Sequence, residues 1–163
     1  MVLLALVSLL ACSRPGVYTL TADGAISHDC AGELPVERLS SEDTAAPQEA
    51  LVNEDAETPE RWTIEVDGLA ERWGCLDGDD GAFQCAAGDA RTDYTEVGLD
   101  AVITWSVDFA GTWEGARTFR ATRTARVSCA GEGCEVLAAQ GVAFCTVEEA
   151  VEGLWVRELP PAG

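Results

Sequence analysis

The chain lacks lysine altogether: its ten basic residues are all arginines, against 29 aspartates and glutamates. The formal net charge at pH 7 is −19 over 163 residues. Because such a surface repels phosphate groups, the composition excludes nucleic acid as an expected partner. The charge is typical of a surface that keeps a protein in solution, and a cationic or basic partner is the narrower interpretation.

The chain also lacks a hydrophobic run long enough to span a membrane near its start. Residues 2–11 are apolar apart from one serine. The hydrocarbon core of a bilayer requires roughly twenty residues, so this segment is too short to cross it. Its length instead fits the apolar region of an export signal.

The tetrapeptide LLAC at positions 9–12 resembles a lipobox, the cleavage site of bacterial lipoprotein precursors. The resemblance implies that residues 1–11 are a signal peptide and that residues 12–16 form a lipidated cysteine and a short tether. Cys12 would then carry a diacylglyceryl thioether and an amide-linked acyl chain such as palmitate, which together anchor stably in a membrane. Ser13 after the cysteine is compatible with sorting to the outer membrane.

The chain has seven cysteines, an odd number that a lipidated Cys12 would explain. Six cysteines then remain, enough for three disulfides in an exported protein. Short spacings and intervening turn residues select two pairs, and elimination selects the third. The predicted pairs are Cys75–Cys85, Cys129–Cys134 and Cys30–Cys145.

Each of the two short pairs is predicted to join the two strands of a hairpin. Cys75 and Cys85 flank the segment LDGDDGAFQ, so they would face each other in a hairpin centred near Asp80. Cys129 and Cys134 flank AGEG, which fits a four-residue hairpin loop. The remaining long pair closes a loop of about a hundred residues, which the chain-entropy model values at about 4–5 kcal/mol.

Alternating apolar and polar residues predict strands over residues 17–22, 61–66 and 99–109. The segment EVLAAQ, residues 135–140, is a further strand candidate. For the tail, Thr146 and Glu149 fit a helical capping box, whereas GLWVRELP fits a closing strand. We expect the strand, because the segments before it are predicted to be β.

The long strand over residues 99–109 continues into a predicted three-residue turn with Gly111 at its centre. This turn sets the register of the strand that returns from it. Phe109 would then face Trp113, and Trp105 would face Arg117. The same register places Ile103 opposite Phe119, all on one side of the sheet.

Seven or eight strands joined by turns predict an all-β antiparallel meander. Closure into a small, lipocalin-like β-barrel removes exposed strand edges, and a β-sandwich is the alternative. Residues 17–163 would form one disulfide-bonded β-domain. Within it, residues 39–60 are rich in acids and contain no basic residue, so we expect a long exposed loop there.

Candidate binding residues come from the arginine series of the return strand. Arg120 and Arg126 fall on its polar side, whereas Arg117 and Arg123 fall on its apolar side. A buried arginine requires a partner, so a core salt bridge or stacking on Trp105 is the structural interpretation. The functional interpretation is a pocket in the barrel for an anionic or amphiphilic ligand. Its candidate lining residues are Trp62, Trp105, Phe119, Arg117 and Arg123.

Residue patterns for catalysis are sparse. The one histidine, His28, stands beside Asp29 and Cys30, and oxidation of Cys30 would prevent it from acting as a nucleophile. No cysteine pair has CxxC spacing, so a zinc site is not expected. DGDDG at residues 77–81 fits a hairpin turn better than a calcium loop, since the distal glutamate is missing. We therefore expect no catalytic residue, metal or cofactor.

The sequence thus predicts a lipid-anchored β-domain of the bacterial envelope, on the outer membrane, with a non-catalytic structural or protein-interaction role. The expected partners are the membrane, through the lipid anchor, and an envelope protein or a small ligand. The alternative is a β-barrel binding module, and an enzyme is a more distant one. A cavity of a few hundred Å³ inside the barrel would favour the binding module, and a packed interior would favour the first function.

Overall fold

The computed structural model describes residues 15–24, 26–30, 48–55, 57–58, 60–66 and 72–159. The predicted signal peptide, residues 1–11, and the predicted lipidation residue, Cys12, lie outside this part of the chain, as do residues 31–47. The strands are β1 (Gly16–Ala22), β2 (Ser27–His28), β3 (Gln48–Glu54), β4 (Arg61–Val66), β5 (Arg72–Asp77), β6 (Ala82–Ala86), β7 (Ala90–Asp93), β8 (Val102–Trp113), β9 (Thr118–Ala130) and β10 (Thr146–Arg157). A short helix, α1 (Cys134–Ala139), precedes β10.

Eight of these strands form a closed antiparallel barrel. Their order is β1-β3-β4-β5-β6-β8-β9-β10, and pairing of β10 with β1 closes the ring. All the pairings are antiparallel. The predicted all-β meander and its closure into a small barrel are therefore confirmed, and the sandwich alternative is wrong.

The barrel interior is filled largely by aromatic side chains. In β4, for example, inward side chains alternate with outward ones: Trp62 and Ile64 are buried and Thr63 is partly exposed. The rings in contact are those of Tyr18, Trp62, Phe83, Phe109, Trp113 and Phe119, with centroids 5.1–5.9 Å apart. Edge-to-face and tilted contacts of this kind stabilise a core beyond the area that they bury.

Strands β8, β9 and β10 extend beyond the barrel and carry a second core. There, Ile103, Val127 and Val147 pack with Leu137 of α1. The short strands β7 and β2 pair with the extensions of β8 and β10. The molecule therefore has two apolar clusters: one fills the barrel, and the other lies on the extensions of β8, β9 and β10, where the helix covers it.

Three disulfides join the pairs that the spacing predicted: Cys30–Cys145, Cys75–Cys85 and Cys129–Cys134. Cys75 and Cys85 are direct partners across β5 and β6, with Cα atoms 3.9 Å apart. Three disulfides are typical of proteins from an oxidising, extracytoplasmic compartment.

The hairpin expected between Cys129 and Cys134 is wrong, although the disulfide is present. Residues after β9 turn at Gly131, which has a φ of 117°, and then enter α1. The strand expected over residues 135–140 is wrong for the same reason. Its apolar Leu137 packs on the second core, whereas Val136 is exposed. This is the one-sided burial of a helix, which a six-residue segment is too short to reveal.

The predicted turn at Gly111 is also wrong, and with it the register of the β8–β9 pair. β8 continues to Trp113, which pairs with Phe119, so Phe109 faces Arg123 instead. A Cβ at position 111 would overlap the carbonyl oxygen of Arg120, because the β9 backbone passes close by. The glycine therefore permits close strand contact inside the barrel rather than a turn.

The acidic segment over residues 39–60 is not a continuous loop. β3 crosses it as a barrel strand between β1 and β4, with Ala50 and Val52 buried and Glu49 exposed. The strand predicted for the tail is confirmed as β10, which pairs with β9 and β1. Among the described residues, no helix has the length and apolar character needed to cross a membrane.

Candidate functional site

The structure does not bring the five candidate binding residues together. Trp62 and Phe119 lie in the aromatic core of the barrel, and Arg123 points into one end of it. Trp105 packs partly against the second core. Arg117 is exposed in the turn after β8, so its expected position on the apolar side is wrong.

Arg123 pairs with a carboxylate that the sequence did not single out as a binding residue. Its Nη1 atom lies 3.8 Å from Oε2 of Glu149, and the two side chains are only 14% and 7% exposed. The second carboxylate oxygen of Glu149, Oε1, makes no hydrogen bond to any described residue. Of the interpretations given for an inward arginine, the core salt bridge therefore applies to Arg123, with Glu149 as its partner.

A small cavity adjoins this pair at the end of the barrel where β1 finishes and β3 begins. Its volume is about 20 Å³, which is room for about one water molecule. Its walls are Leu20, Thr21, Ala22, Gln48, Ile64, Val66, Trp73, Phe109, Arg123, Glu149 and Val151. The indole Nε1 of Trp73 also has no hydrogen-bond partner among the described residues. We call Trp73, Arg123 and Glu149 the mouth cluster.

At the opposite end of the barrel, Trp62 donates a hydrogen bond from its indole Nε1 to Oδ1 of Asp77, over 2.9 Å. Burial raises the pKa of the Asp77 carboxyl above its ordinary value. The hydrogen bond from Trp62 opposes this effect, as does the nearby Trp113 indole, but burial outweighs them. Burial is therefore the dominant influence on the titration of Asp77.

The DGDDG segment forms the turn between β5 and β6. Asp80 adopts a left-handed conformation with a φ of 56°, and Gly78 donates its N–H to the carbonyl of Ala82. Asp77, the first carboxylate of the segment, bonds to Trp62 rather than turning towards Asp79 and its neighbour. The segment is therefore a hairpin turn, as predicted.

The Arg117 guanidinium lies over the Trp155 ring, 4.2 Å from its centroid. The Trp155 indole also packs against the start of β1, since a Cβ at Gly16 would lie 2.7 Å from Cδ1 of the indole. An open groove of about 490 Å³ adjoins this pair. It is lined by Pro15, Arg117, Trp155, Glu158 and Leu159.

His28 is exposed in β2, and Asp29 beside it accepts a hydrogen bond from the backbone N–H of Thr146 over 2.6 Å. The Asp29 carboxylate also lies near the sulfurs of Cys30 and Cys145. Those sulfurs are joined to each other, so they offer no thiolate to a metal. The hydrogen bond of Asp29 and the disulfide of Cys30 hold the start of β10 in place.

Glu149 and Trp73 are the residues of the mouth cluster that sequence reasoning missed. Reading the tail as a strand from Thr146 onward places Glu149 on the same face as Val147 and Val151, so the signal was present. The capping-box interpretation assigned Glu149 to a helix terminus instead. Trp73 alternates with Cys75 along β5, which places it inside the barrel.

Comparison with protein-family models, curated proteins and solved structures found no match to the chain. The function of the candidate site is therefore inferred from its geometry and from the sequence alone.

Proposed function

We propose that this chain is an exported lipoprotein, anchored through Cys12, whose barrel serves a non-catalytic structural or protein-interaction role in the bacterial envelope. The proposal rests on which cysteines form disulfides and which one is left over. Six of the seven form disulfides, and the seventh is Cys12, at the end of the apolar run and in the lipobox-like tetrapeptide. Lipidation gives that sulfur a role and accounts for the odd count.

The disulfides support the export component of the proposal, because they persist in oxidising compartments. The outer membrane is the proposed destination, since Ser13 follows the cysteine. A high negative charge, −19 over the chain, disfavours nucleic acid as a partner. The membrane, through the anchor, and an envelope protein are the proposed partners.

The packing of the barrel supports a scaffold role rather than transport of a ligand. The cavity at the mouth cluster has a volume of about 20 Å³, far below the several hundred Å³ typical of sites for small molecules. The one histidine of the chain, His28, is exposed, and its neighbour Cys30 is oxidised. These features favour a protein that acts through its surface.

Replacement of the anchor residue tests the proposal. We expect mass spectrometry of the wild-type protein to show an N-terminus at Cys12 that carries acyl chains. The variant Cys12→Ser should lose both the acyl mass and cleavage at this position, because no thiol is available for the thioether. Ser13→Ala is the matched control, since it changes the next residue and keeps the sulfur. A wild-type protein that begins at Met1 without acyl mass would contradict the proposal.

A binding module for a small amphiphilic or anionic ligand is the second candidate. One observation favours it: the buried Trp73 Nε1 and Glu149 Oε1 both lie in the wall of one cavity without described partners, and a ligand that bonds to them would have to widen this cavity of about 20 Å³. Native mass spectrometry of the gently purified domain tests it. A copurified organic species that is lost in Arg123→Met would support this candidate, and the bare protein mass would contradict it.

A further inference from the structure

One end of the barrel receives the chain from the anchor. It is formed by the start of β1, the end of β10 and the turns over residues 78–81 and 114–117, and we call it the tether end. Pro15, three residues after Cys12, lies at this end. Three residues span at most about 11 Å when fully extended, so the head groups around a lipidated Cys12 would lie within that reach.

Exposed apolar side chains collect at the same end. Five large hydrophobic side chains are exposed among the described residues, and three of them belong to it: Leu76, Leu154 and Val156. Leu154 and Val156 are 57% and 51% exposed and flank Trp155 near the end of β10. The other two, Val97 and Val136, lie beyond the opposite end, next to the second core.

Between Leu154 and Val156, β10 carries Trp155 on its other face, partly buried against the barrel core and in contact with an arginine. The Arg117 guanidinium stacks on Trp155, and Pro15 borders the same groove. We call Pro15, Arg117, Leu154, Trp155 and Val156 the tether patch. Tryptophan and arginine beside aliphatic residues are typical of the interface of a bilayer, where the ring and the stem are apolar and the polar tip meets water.

Charge divides the tether end into two sides. The side formed by β3 to β6 carries an excess of exposed acids, Asp55, Glu57, Glu60, Asp79 and Asp80, against one exposed arginine, Arg61. On the other side, the exposed arginines Arg117 and Arg157 stand beside the exposed acids Glu114 and Glu158, so the charges are more nearly balanced. Anionic head groups would repel the acidic side more strongly than the balanced side, so the barrel would lean towards its β10 side.

We propose that the tether patch lies against the head groups of the bilayer that holds the acyl chains of Cys12. The inference rests on the proposed lipidation, because an unanchored chain has no fixed distance from a membrane. It adds an orientation: the β10 side of the tether end faces the bilayer, and the second core with α1 faces away from it. The surface around Val97 and Val136 is then the one open to envelope partners.

Depth-dependent fluorescence quenching tests this orientation in the acylated protein. Single cysteines replace exposed residues and carry an environment-sensitive fluorophore: Val156→Cys in the tether patch, Glu57→Cys on the β3 to β6 side of the same end, and Val97→Cys beyond the opposite end. The proteins are bound to vesicles of phosphatidylethanolamine and phosphatidylglycerol that contain lipids with nitroxide quenchers in the head-group region.

We expect the strongest quenching at position 156, weaker quenching at position 57 and the weakest at position 97. Quenching at position 57 or 97 that equals or exceeds that at position 156, in a protein whose acylation is confirmed by mass, would overturn the orientation and leave the anchor intact. A protein without acyl mass would instead overturn the proposed function and this inference together. The three substituted side chains are exposed or lie on the outer face, so circular dichroism should show an unchanged fold.

Discussion

Trp62 and Asp77 meet at the tether end of the barrel, where the indole N–H of Trp62 donates to the carboxylate over 2.9 Å. The tryptophan belongs to the aromatic core, and the aspartate ends β5. The contact satisfies the indole donor, but it holds a carboxylate in a partly buried position. Burial dominates, and the pKa of Asp77 is raised above its ordinary value.

The raised pKa predicts how Asp77 changes stability with pH. Between the unfolded value of about 3.9 and the higher folded value, the folded state binds more protons than the unfolded state. The contribution of Asp77 to the free energy of unfolding therefore falls as pH rises through this window. Asp77→Asn retains an acceptor for Trp62 and removes the titration. We expect the stability of the variant relative to wild type to increase across the window and then level off.

Urea denaturation of wild type and Asp77→Asn over a series of pH values measures this difference. Asp79→Asn is the matched control, because it removes one negative charge from the exposed side of the same turn. A difference that stays constant with pH, or that decreases as pH rises, would show that burial does not dominate the titration of Asp77.

The mouth cluster predicts coupling between Arg123 and Glu149. Arg123→Met leaves the buried Glu149 carboxylate without its arginine, and removal of one partner from a buried pair costs roughly 3–5 kcal/mol. We expect a loss of roughly 3 kcal/mol, at the lower end, because the charged atoms are 3.8 Å apart. The double variant Arg123→Met/Glu149→Leu replaces both charges by apolar groups and should recover most of that loss.

A double-mutant cycle measured by chemical denaturation separates this coupling from simple loss of packing. The two single variants and the double variant are compared with wild type under the same conditions. If the two single losses add up in the double variant, the arginine and the carboxylate do not stabilise each other, and the pair has no energetic role at the mouth.

The close contact between Gly111 and β9 predicts that an added side chain at this position destabilises the barrel. A Cβ at this position would overlap the carbonyl oxygen of Arg120 and lie 2.7 Å from the Cα of Ala121. Because backbone rather than a flexible side chain would have to move, Gly111→Ala should destabilise the barrel by about 1–3 kcal/mol. Gly74→Ala is the matched control, since a Cβ there meets no atom within 4 Å. Thermal denaturation that shows equal losses for both variants would contradict the close approach of β8 and β9.

The same glycine illustrates how much of the fold the sequence can predict. Alternation identified β1, β4 and β8, because each places apolar residues on one face, and turn residues identified the β5–β6 hairpin. Local patterns could not reveal that Gly111 lies in a strand, since glycine is equally suited to turns and to close backbone contact. Only the β9 backbone opposite it decides between the two, and that is a tertiary feature.

Local sequence patterns also failed to predict β3 and the mouth cluster, for related reasons. β3 has only two fully buried side chains, Ala50 and Val52, and its outward Glu49 resembles the acidic segment around it. Glu149 and Trp73 come from strands that are distant in sequence, and their proximity depends on closure of the barrel. Their inward positions can be predicted from alternation, but their shared cavity cannot.

The disulfides predict an order of stabilisation that depends on loop length. Cys30–Cys145 joins residues 115 apart, and Cys129–Cys134 joins residues 5 apart. The chain-entropy model assigns about 5 kcal/mol to the long loop and about 2 kcal/mol to the short one, because the longer loop restricts the unfolded chain more. The double variant Cys30→Ser/Cys145→Ser should therefore unfold at a much lower denaturant concentration than Cys129→Ser/Cys134→Ser.

Both double variants keep an even number of bridging cysteines, so neither variant leaves an unpaired thiol that could form a wrong disulfide. Peptide mapping without reduction can verify the two bridges that remain in each variant. The long disulfide also holds the start of β10, where Asp29 accepts the N–H of Thr146. Native-state hydrogen exchange should accordingly increase first around β2 and the start of β10 when this bridge is removed. If the short bridge proves the more stabilising, residual structure in the unfolded state, rather than loop closure, controls how these cross-links act.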